Sequence, residues 1–343
     1  MSNILKIGNV VVSEKTKPKV IAEGCDNHFG DLKKALEMVD LAKDAGADII
    51  KFQHHLPDEE MLPEIPLSSN FNEPLYEFLK KNSLNLSDHN KIMQRCKKKQ
   101  IQYLCTPFSL KAAKDLKKIN VDGFKIGSGE MTDIPTLKEI AKYQLPMIIS
   151  TGMCRMKEIQ ETYKSIIKIN KKLILMNCTS EYPPDYQDIN LKVITLMKSR
   201  FPKALIGHSD HTNELVTSLG AVALGAVIIE KHVTIDSNNE GPDRDVSINF
   251  EDLKKLVQEI HKLFLSLGNK KKVHFKEKPI RKWAFRSIVS IQKIKKNQVL
   301  KPEMIWSKRP GTGIPSKLMN KVLGMRAKVE IPKNTLIKWS QLK

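Results

Sequence analysis

The most constraining feature of this chain is an alternation repeated about eight times, in which a short β-type run is followed by a helical stretch. The runs are Val20–Glu23, Ile49–Gln53, Tyr103–Thr106, Gly123–Ile126, Met147–Ser150, Leu173–Asn177, Ala204–Gly207 and Val227–Glu230. Between them lie amphipathic periods such as Leu32–Ala45, where Leu36, Val39, Ala42 and Lys43 recur at spacings of three and four; Leu137–Tyr143 and Ile159–Ile169 read the same way. Strands apolar on both faces must be covered on both faces, which a parallel sheet wrapped in helices achieves. Eight such units predict an α/β fold, a closed (β/α)8 TIM barrel over residues 1–268. An open doubly wound sheet is the competitor, but no Gly-rich dinucleotide fingerprint follows the first strand.

The pattern changes after a helix at Phe250–Leu267, which ends at Gly268. Residues 269–283 are polar and Lys-rich and read as a linker. Residues 284–343 read as a small β-rich domain with an internal echo, Ile294–Lys301 resembling Ile331–Lys338. A core of that size is marginal alone and is expected to lean on something larger.

Lys and Arg exceed Asp and Glu by 20, which raises nucleic acid, anionic membrane or an acidic substrate as partners. Nucleic acid is not expected: the lysines are scattered, aromatic residues make up 6% and do not interleave as stacking platforms, and no known nucleic-acid-binding pattern occurs. A membrane is not expected either, since no apolar run approaches the roughly 20 residues that span a bilayer. The N-terminus (Met1–Lys6) has no basic region followed by an apolar stretch. Cys25, Cys96, Cys105, Cys154 and Cys178 form an odd set without CxxC spacing; three of them lie in or beside apolar, strand-like runs and read as small core residues, and all read as reduced thiols in a cytoplasmic protein.

In such a barrel the chemistry sits at the C-terminal ends of the strands. Those ends carry Glu23, Asn27 and His28; Lys51 and Gln53; Thr106 and Phe108; Lys125, Ser128 and Glu130; Ser150 and Thr151; Thr179, Ser180 and Tyr182; Ser209, Asp210 and His211; and Glu230, Lys231 and His232. A purely structural barrel end would not need a polar group on nearly every strand. Lys51 and Lys125 among Ser128, Ser150 and Ser209, beside the Gly127-Ser128-Gly129 turn, read as a phosphate or carboxylate cradle. His211 and His232 end consecutive strands and read as ligands of one divalent metal, with Asp210, Glu230 and Asp243 as neighbouring carboxylates. His54, His55, His89, His261 and His274 read as structural or surface histidines, and His208 is left undecided between the two readings.

These residues resemble the sialic acid synthase family of bacterial type, over almost the whole chain. The motifs are Ala22-Glu23-Gly24-Cys25-Asp26-Asn27-His28-Phe29-Gly30, Lys51-Phe52-Gln53, Cys105-Thr106-Pro107-Phe108-Ser109 and Lys125-Ile126-Gly127-Ser128-Gly129-Glu130. Ser150-Thr151-Gly152-Met153, Gly207-His208-Ser209-Asp210-His211-Thr212, Glu230-Lys231-His232, Gly241-Pro242-Asp243 and Lys308-Arg309-Pro310-Gly311 complete the set. The C-terminal module resembles the antifreeze-like (SAF) domain of that family.

The resemblance implies condensation of phosphoenolpyruvate with an N-acyl aminosugar, with release of phosphate. Lys51, Thr106, Lys125, Ser128, Ser150 and Ser209 would hold phosphoenolpyruvate, and His211 and His232 the metal, manganese first with magnesium or cobalt as the others. Glu23, Gln53, Tyr182, Glu230 and Asp243 would contact the sugar, Phe108 would pack near both substrates, and Glu130 would handle the attacking water. Arg309 would reach across a domain-swapped homodimer to the N-acyl group of sugar bound by the other copy. The chain departs from the family pattern at Cys25 and Asp26, at Phe52 and at Ser180, which bears on the sugar. N-acetylmannosamine, giving N-acetylneuraminate, is the first expectation; a diacetamido-dideoxyhexose leading to legionaminate or pseudaminate is the alternative.

Overall fold

The computed structural model describes residues 4–66, 71, 73–236 and 241–343, so Met1–Asn3 of the N-terminal reading lie outside the described residues. The chain divides into two compact units, Met1–Gly268 and Asn269–Lys343.

The first unit opens with an antiparallel hairpin that the strand count did not foresee, β1 (Ile4–Ile7) against β2 (Val10–Ser13). The eight expected strands follow as β3 (Lys19–Glu23), β4 (Ile49–His54), β5 (Gln102–Pro107), β6 (Phe124–Ile126), β7 (Met147–Ser150), β8 (Leu173–Cys178), β9 (Leu205–Asp210) and β10 (Ile228–His232). They form one parallel sheet in the order β5-β4-β3-β10-β9-β8-β7-β6, and its two ends, β5 and β6, lie side by side, so the sheet curls into a TIM-type barrel.

Helices alternate with the strands: α1 (Leu32–Asp44), then α2 (Pro57–Glu60), α3 (Leu75–Asn82) and α4 (Leu86–Lys99) after β4, α5 (Leu110–Lys118), α6 (Ile134–Ala141), α7 (Met156–Ile166), α8 (Val193–Arg200), α9 (Val216–Ala223) and α10 (Phe250–Ser266). Their starts follow from local chemistry. Asp31, Asn85, Ser109 and Asn249 each accept a backbone N–H of the first turn of α1, α4, α5 and α10, which satisfies a donor the helix itself cannot.

Two apolar layers result. An outer layer joins strand residues such as Ala22, Ile50, Cys105 and Ile149 to helix residues such as Met38, Ile92, Leu116, Leu137 and Leu256. An inner layer of Ile21, Ile49, Leu104, Ile148, Ile174, Leu205 and Ile228 is joined by Leu5, Ile7 and Val12 of the hairpin. The barrel interior is therefore apolar over the middle of its strands and polar at their C-terminal ends. That polarity positions the site.

The second unit has its own core of Ile288, Ile294, Leu300, Met304, Ile305, Ile314, Val322, Ala327, Ile331, Ile337 and Leu342. It contains α11 (Glu277–Ala284), β11 (Ser287–Ser290) paired antiparallel with β12 (Ile305–Lys308), and α12 (Met319–Val322). The stretch read as a linker thus ends in a helix. Glu277, whose carboxylate accepts the His274 N–H, opens it, and Arg281 and Lys282 lie in its last turn, charges that suit both ends of the helix dipole. The two echoed segments meet: Ile294 and Ile331 pair as an antiparallel bridge, and Asn297 and Asn334 occupy matching left-handed turn positions.

Candidate active site

Strand alternation sorts the polar residues at the barrel mouth into two sets. Register pairs Ser209 with Glu230 and Asp210 with Lys231 across β9 and β10. Ser209, His211, Glu230 and His232 face a cavity of about 450 Å³, while Asp210 and Lys231 face the other way. The same cavity is lined by Glu23, Lys51, Gln53, Thr106, Phe108, Lys125, Ser128, Glu130, Ser150, Ser180, Tyr182 and Asp243. Every barrel residue to which the resemblance gave a substrate, metal or proton role is therefore gathered at one place, whereas Asp210, read as a carboxylate neighbouring the metal histidines, is turned away from it by strand alternation.

On one side lies a buried net of charge. Lys51 Nζ sits 2.8 Å from Glu23 Oε2, 3.5 Å from Glu230 Oε1 and 3.1 Å from Thr106 Oγ1. Lys125 Nζ lies 3.1 Å from the same Glu230 oxygen, which also accepts the Ser209 hydroxyl at 3.0 Å. Burial opposes charge on Lys51, but Glu23 and Glu230 raise its pKa above the ordinary lysine value. Lys125 is lowered by burial even with Glu230 in contact. Burial disfavours the Glu230 anion too, yet Lys125 and Lys51 bring its pKa down to about 2, so it stays ionised. Glu23 goes the other way, raised to about 7 because burial outweighs Lys51.

Beside this net, the Ser128 hydroxyl accepts the Gly152 N–H at 3.1 Å, and the buried Ser150 hydroxyl has no partner among the described residues. Gly152 leaves room for these hydroxyls: a Cβ there would lie 2.1 Å from Ser180 Oγ and 2.7 Å from Ser128 Oγ and would force both side chains to turn. Glu130 is also raised to about 7, chiefly by burial, and its Oε2 is buried without a partner among the described residues.

On the other side stand the two histidines. Their rings meet edge to face with centroids 5.1 Å apart, and Tyr182 packs on His211 at 4.5 Å. His211 Nδ1 lies 2.9 Å from the Thr179 carbonyl, and its Nε2 lies 4.0 Å from Cys178 Sγ. Burial and the neighbouring His211 push His232 well below the ordinary histidine range, and its Nδ1 is buried without a hydrogen-bond partner. Ligand atoms of Cys25, His232 and Asp243 lie within 4.8 Å of one another, a group that can hold a metal ion. A neutral imidazole with an unused nitrogen beside a carboxylate and a sulfur fits a divalent cation.

Arg309 belongs to the second unit, where it is exposed, donates from Nε to the Ala284 carbonyl at 3.2 Å and stacks on Trp283. Phe52, read as bearing on the sugar, is buried in the outer apolar layer instead, because it alternates with Lys51 and Gln53 on β4. His208 likewise points away, its Nδ1 3.1 Å from the Asn177 carbonyl.

Several residues that line the cavity escaped the sequence reading as site residues. His55 is one, and its reading as a structural histidine is corrected: it stacks on Phe108 at 4.2 Å and contacts Gln53, Glu60 and Asp26 at 2.8, 3.0 and 3.7 Å. Its signal was available, since Lys51, Gln53 and His55 keep the period of two that puts strand residues on one face. Glu60 enters through α2, for which no sequence signal was read. Cys25 and Cys178 also line the cavity rather than serving only as core filler. Cys25 donates to Asp243 Oδ2 at 2.7 Å and accepts from Gln53 Nε2 at 3.0 Å. Burial would raise Cys178, but His211 and Lys125 bring it down to about 7.

Residues 38–272 match the model of the NeuB family, and residues 285–343 match the SAF domain. The chain is 35% identical over 332 residues to the N,N'-diacetyllegionaminic acid synthase of Campylobacter jejuni, covering 94% of this chain and 99% of that protein. It is 32% identical to a pseudaminic acid synthase of Campylobacter jejuni, covering 99% of this chain and 100% of that one. The crystal structure of N-acetylneuraminic acid (sialic acid) synthetase from Leptospira borgpetersenii, in complex with citrate, superposes with a TM-score of 0.74 at 33% identity, covering 82% of this chain and 95% of that one. The chain belongs to the NeuB family and is an enzyme of the nonulosonic acid synthase type, with a SAF domain at its C-terminus.

Proposed function

We propose that this NeuB-family chain condenses phosphoenolpyruvate with an N-acyl aminosugar to give a nonulosonic acid and phosphate. One observation carries the reading: two buried lysines among hydroxyls and two facing histidines share a single cavity at the strand ends. The lysines suit a dianionic phosphate, and Ser150, whose hydroxyl lacks a partner, supplies a donor that such a ligand would use. Lys51, Thr106, Lys125, Ser128, Ser150 and Ser209 hold phosphoenolpyruvate in this reading. Glu23, Gln53, Ser180, Tyr182, Glu230 and Asp243 orient the sugar, and Phe108 closes the space between the two.

The reaction balances as follows. C3 of phosphoenolpyruvate bonds to the aldehyde carbon of the open-chain sugar, whose oxygen takes up a proton. Water adds at C2, its proton passing to Glu130, and the resulting tetrahedral centre expels phosphate to leave the ketone. A carboxyl group near 7 exchanges a proton readily at neutral pH. The lysines stabilise the departing phosphate without rearrangement, because they are already fixed by Glu23 and Glu230. A divalent ion, manganese by first choice with magnesium or cobalt as alternatives, would be held by His211 and His232 and supply Lewis-acid polarisation of the aldehyde.

Residues 1–268 would form the catalytic barrel and residues 284–343 the SAF module, whose Arg309 would meet the sugar's N-acyl group across a domain-swapped homodimer. The cytoplasm suits five free thiols. No helix among the described residues is long and apolar enough to cross a membrane.

N-acetylmannosamine is the first acceptor in this reading. A diacetamido-dideoxyhexose is the second, favoured by an apolar stretch of the cavity wall, Met61, Phe71, Leu75, Leu79 and Met153, which would suit a deoxy carbon and a second acetyl group. Purified protein with phosphoenolpyruvate, manganese and each acceptor in turn is expected to release phosphate and yield a nonulosonic acid by mass spectrometry. The acceptor with the higher kcat/KM is the substrate, and silence with the whole panel of N-acyl aminosugars overturns the assignment.

A further inference from the structure

We infer that Cys25 is a thiolate ligand of the divalent ion, completing with His232 and Asp243 a donor set of sulfur, nitrogen and oxygen. With a sulfur donor, cobalt among the ions named above, together with zinc and iron(II), gains affinity relative to manganese and magnesium. The inference rests on the metal dependence proposed above, but it concerns a ligand and not turnover.

Three independent observations converge. The first is spacing. Donor atoms of Cys25, His232 and Asp243 lie within 4.8 Å of one another, close to the span of about 4.6 Å that two donors at about 2.3 Å cover across one ion, so small side-chain adjustments bring all three onto it. The second is an unmet demand. His232 Nδ1 is buried, has no hydrogen-bond partner among the described residues and lies 4.0 Å from Asp243 Oδ1, so a buried nitrogen is left that a cation would satisfy. The third is backbone. Cys25 has φ +45°, a left-handed conformation rare for a residue with a side chain, and its Sγ lies 2.7 Å from Asp243 Oδ2. Strain of this kind persists where the surroundings enforce it, and it concentrates at binding sites.

Binding replaces the Cys25 S–H···Asp243 hydrogen bond by two bonds to the ion, the thiol proton passing to solvent. Gln53 Nε2, 3.0 Å from the sulfur, remains as a donor that orients the thiolate and disperses its charge. Without an ion, burial and Asp243 keep the thiol protonated; a dication inverts that balance. His211 lies ring to ring with His232, and its Nε2 lies 4.0 Å from Cys178 Sγ.

The test is X-ray absorption of the full-length protein loaded with zinc, together with the near-ultraviolet absorption of its cobalt(II) form. A sulfur neighbour at about 2.3 Å from zinc and a sulfur-to-cobalt charge-transfer band are expected in the wild type. Both should vanish in Cys25→Ala and survive in Cys178→Ala, which removes the other thiol of the cavity. A shell of nitrogen and oxygen alone, a band that persists in Cys25→Ala or disappears in Cys178→Ala, or failure to retain either metal overturns the inference. Should Cys25→Ala not fold, zinc protection of Cys25 against iodoacetamide, mapped by peptide mass spectrometry in the wild type, decides: protection supports the ligand, and unchanged alkylation removes it. Sulfur ligation without phosphate release would leave the ligand standing and remove the proposed reaction; phosphate release with no sulfur would do the reverse.

Discussion

At the scale of single residues, the site is a set of groups whose ordinary behaviour has been altered by burial. Glu130 is the clearest, a carboxyl raised to about 7 with an oxygen that nothing bonds. As acceptor of the water's proton it must be ionised, so kcat should fall as pH drops through about 7. Glu130→Gln should lose about 10²–10⁴-fold in kcat with the KM for phosphoenolpyruvate changed far less. Initial rates across pH check this, and a parallel rise in KM would assign the residue to binding instead. Ser150 is the complementary case, a buried hydroxyl without a partner. Ser150→Ala removes a donor to a charged ligand, worth about 1.5–3 kcal/mol, so the KM for phosphoenolpyruvate should rise roughly 10- to 100-fold. Its melting temperature should not fall, because no hydrogen bond of the free protein is lost.

At the scale of elements, the outward residues of β9 and β10 show what keeps the inward ones in place. Asp210 lies 3.2 Å from Lys231 and accepts from the Thr212 N–H and the hydroxyls of Thr212, Thr217 and Ser218, tying β9 and β10 to the start of α9. Burial pulls Lys231 down despite that contact, whereas Asp210 is held well below the usual carboxylate range by Lys231 and its donors, against its own burial. The carboxylate is the better satisfied half. Asp210→Asn leaves Lys231 buried without a counter-charge and should cost about 3–5 kcal/mol in urea unfolding. A carboxylate with a depressed folded pKa stabilises fully above its unfolded value of about 3.9 and loses that contribution as pH falls further. The wild type's advantage over Asp210→Asn should therefore shrink below about pH 4; an advantage unchanged on acidification would show that the charge is not what matters there.

At the scale of the whole molecule, two units with separate cores carry one proposed activity. The barrel's apolar layers involve residues of the first unit alone, and the second unit's core is equally self-contained. A chain ending at Lys270 should give a cooperative melt and native-like circular dichroism, yet lose turnover if Arg309 completes the sugar subsite. Arg309→Ala in the full chain should raise the sugar's KM roughly 10- to 100-fold, the worth of a charge-assisted hydrogen bond. Full activity of the shortened chain would detach the SAF module from catalysis.

The strands and the repeating helices were legible because period two and period three-to-four are written locally, and burial on both faces dictates a parallel barrel. The expected site residues of the barrel were legible for the same reason: strand ends of such a barrel converge whatever the sequence between them. What escaped was non-local or depended on side-chain direction. Cys25 looked like core filler until Asp243, more than two hundred residues later, was seen accepting from its thiol. Phe52 and His55 exchanged the roles assigned to them once alternation on β4 fixed which one faced the cavity. The hairpin β1–β2 joined the interior without any signal of helix or strand repetition. Local periodicity thus determined the fold and the rim of the site. Only the closed barrel decided which thiol, which imidazole and which carboxylate share one point in space, because that depends on chain closure across strands distant in sequence.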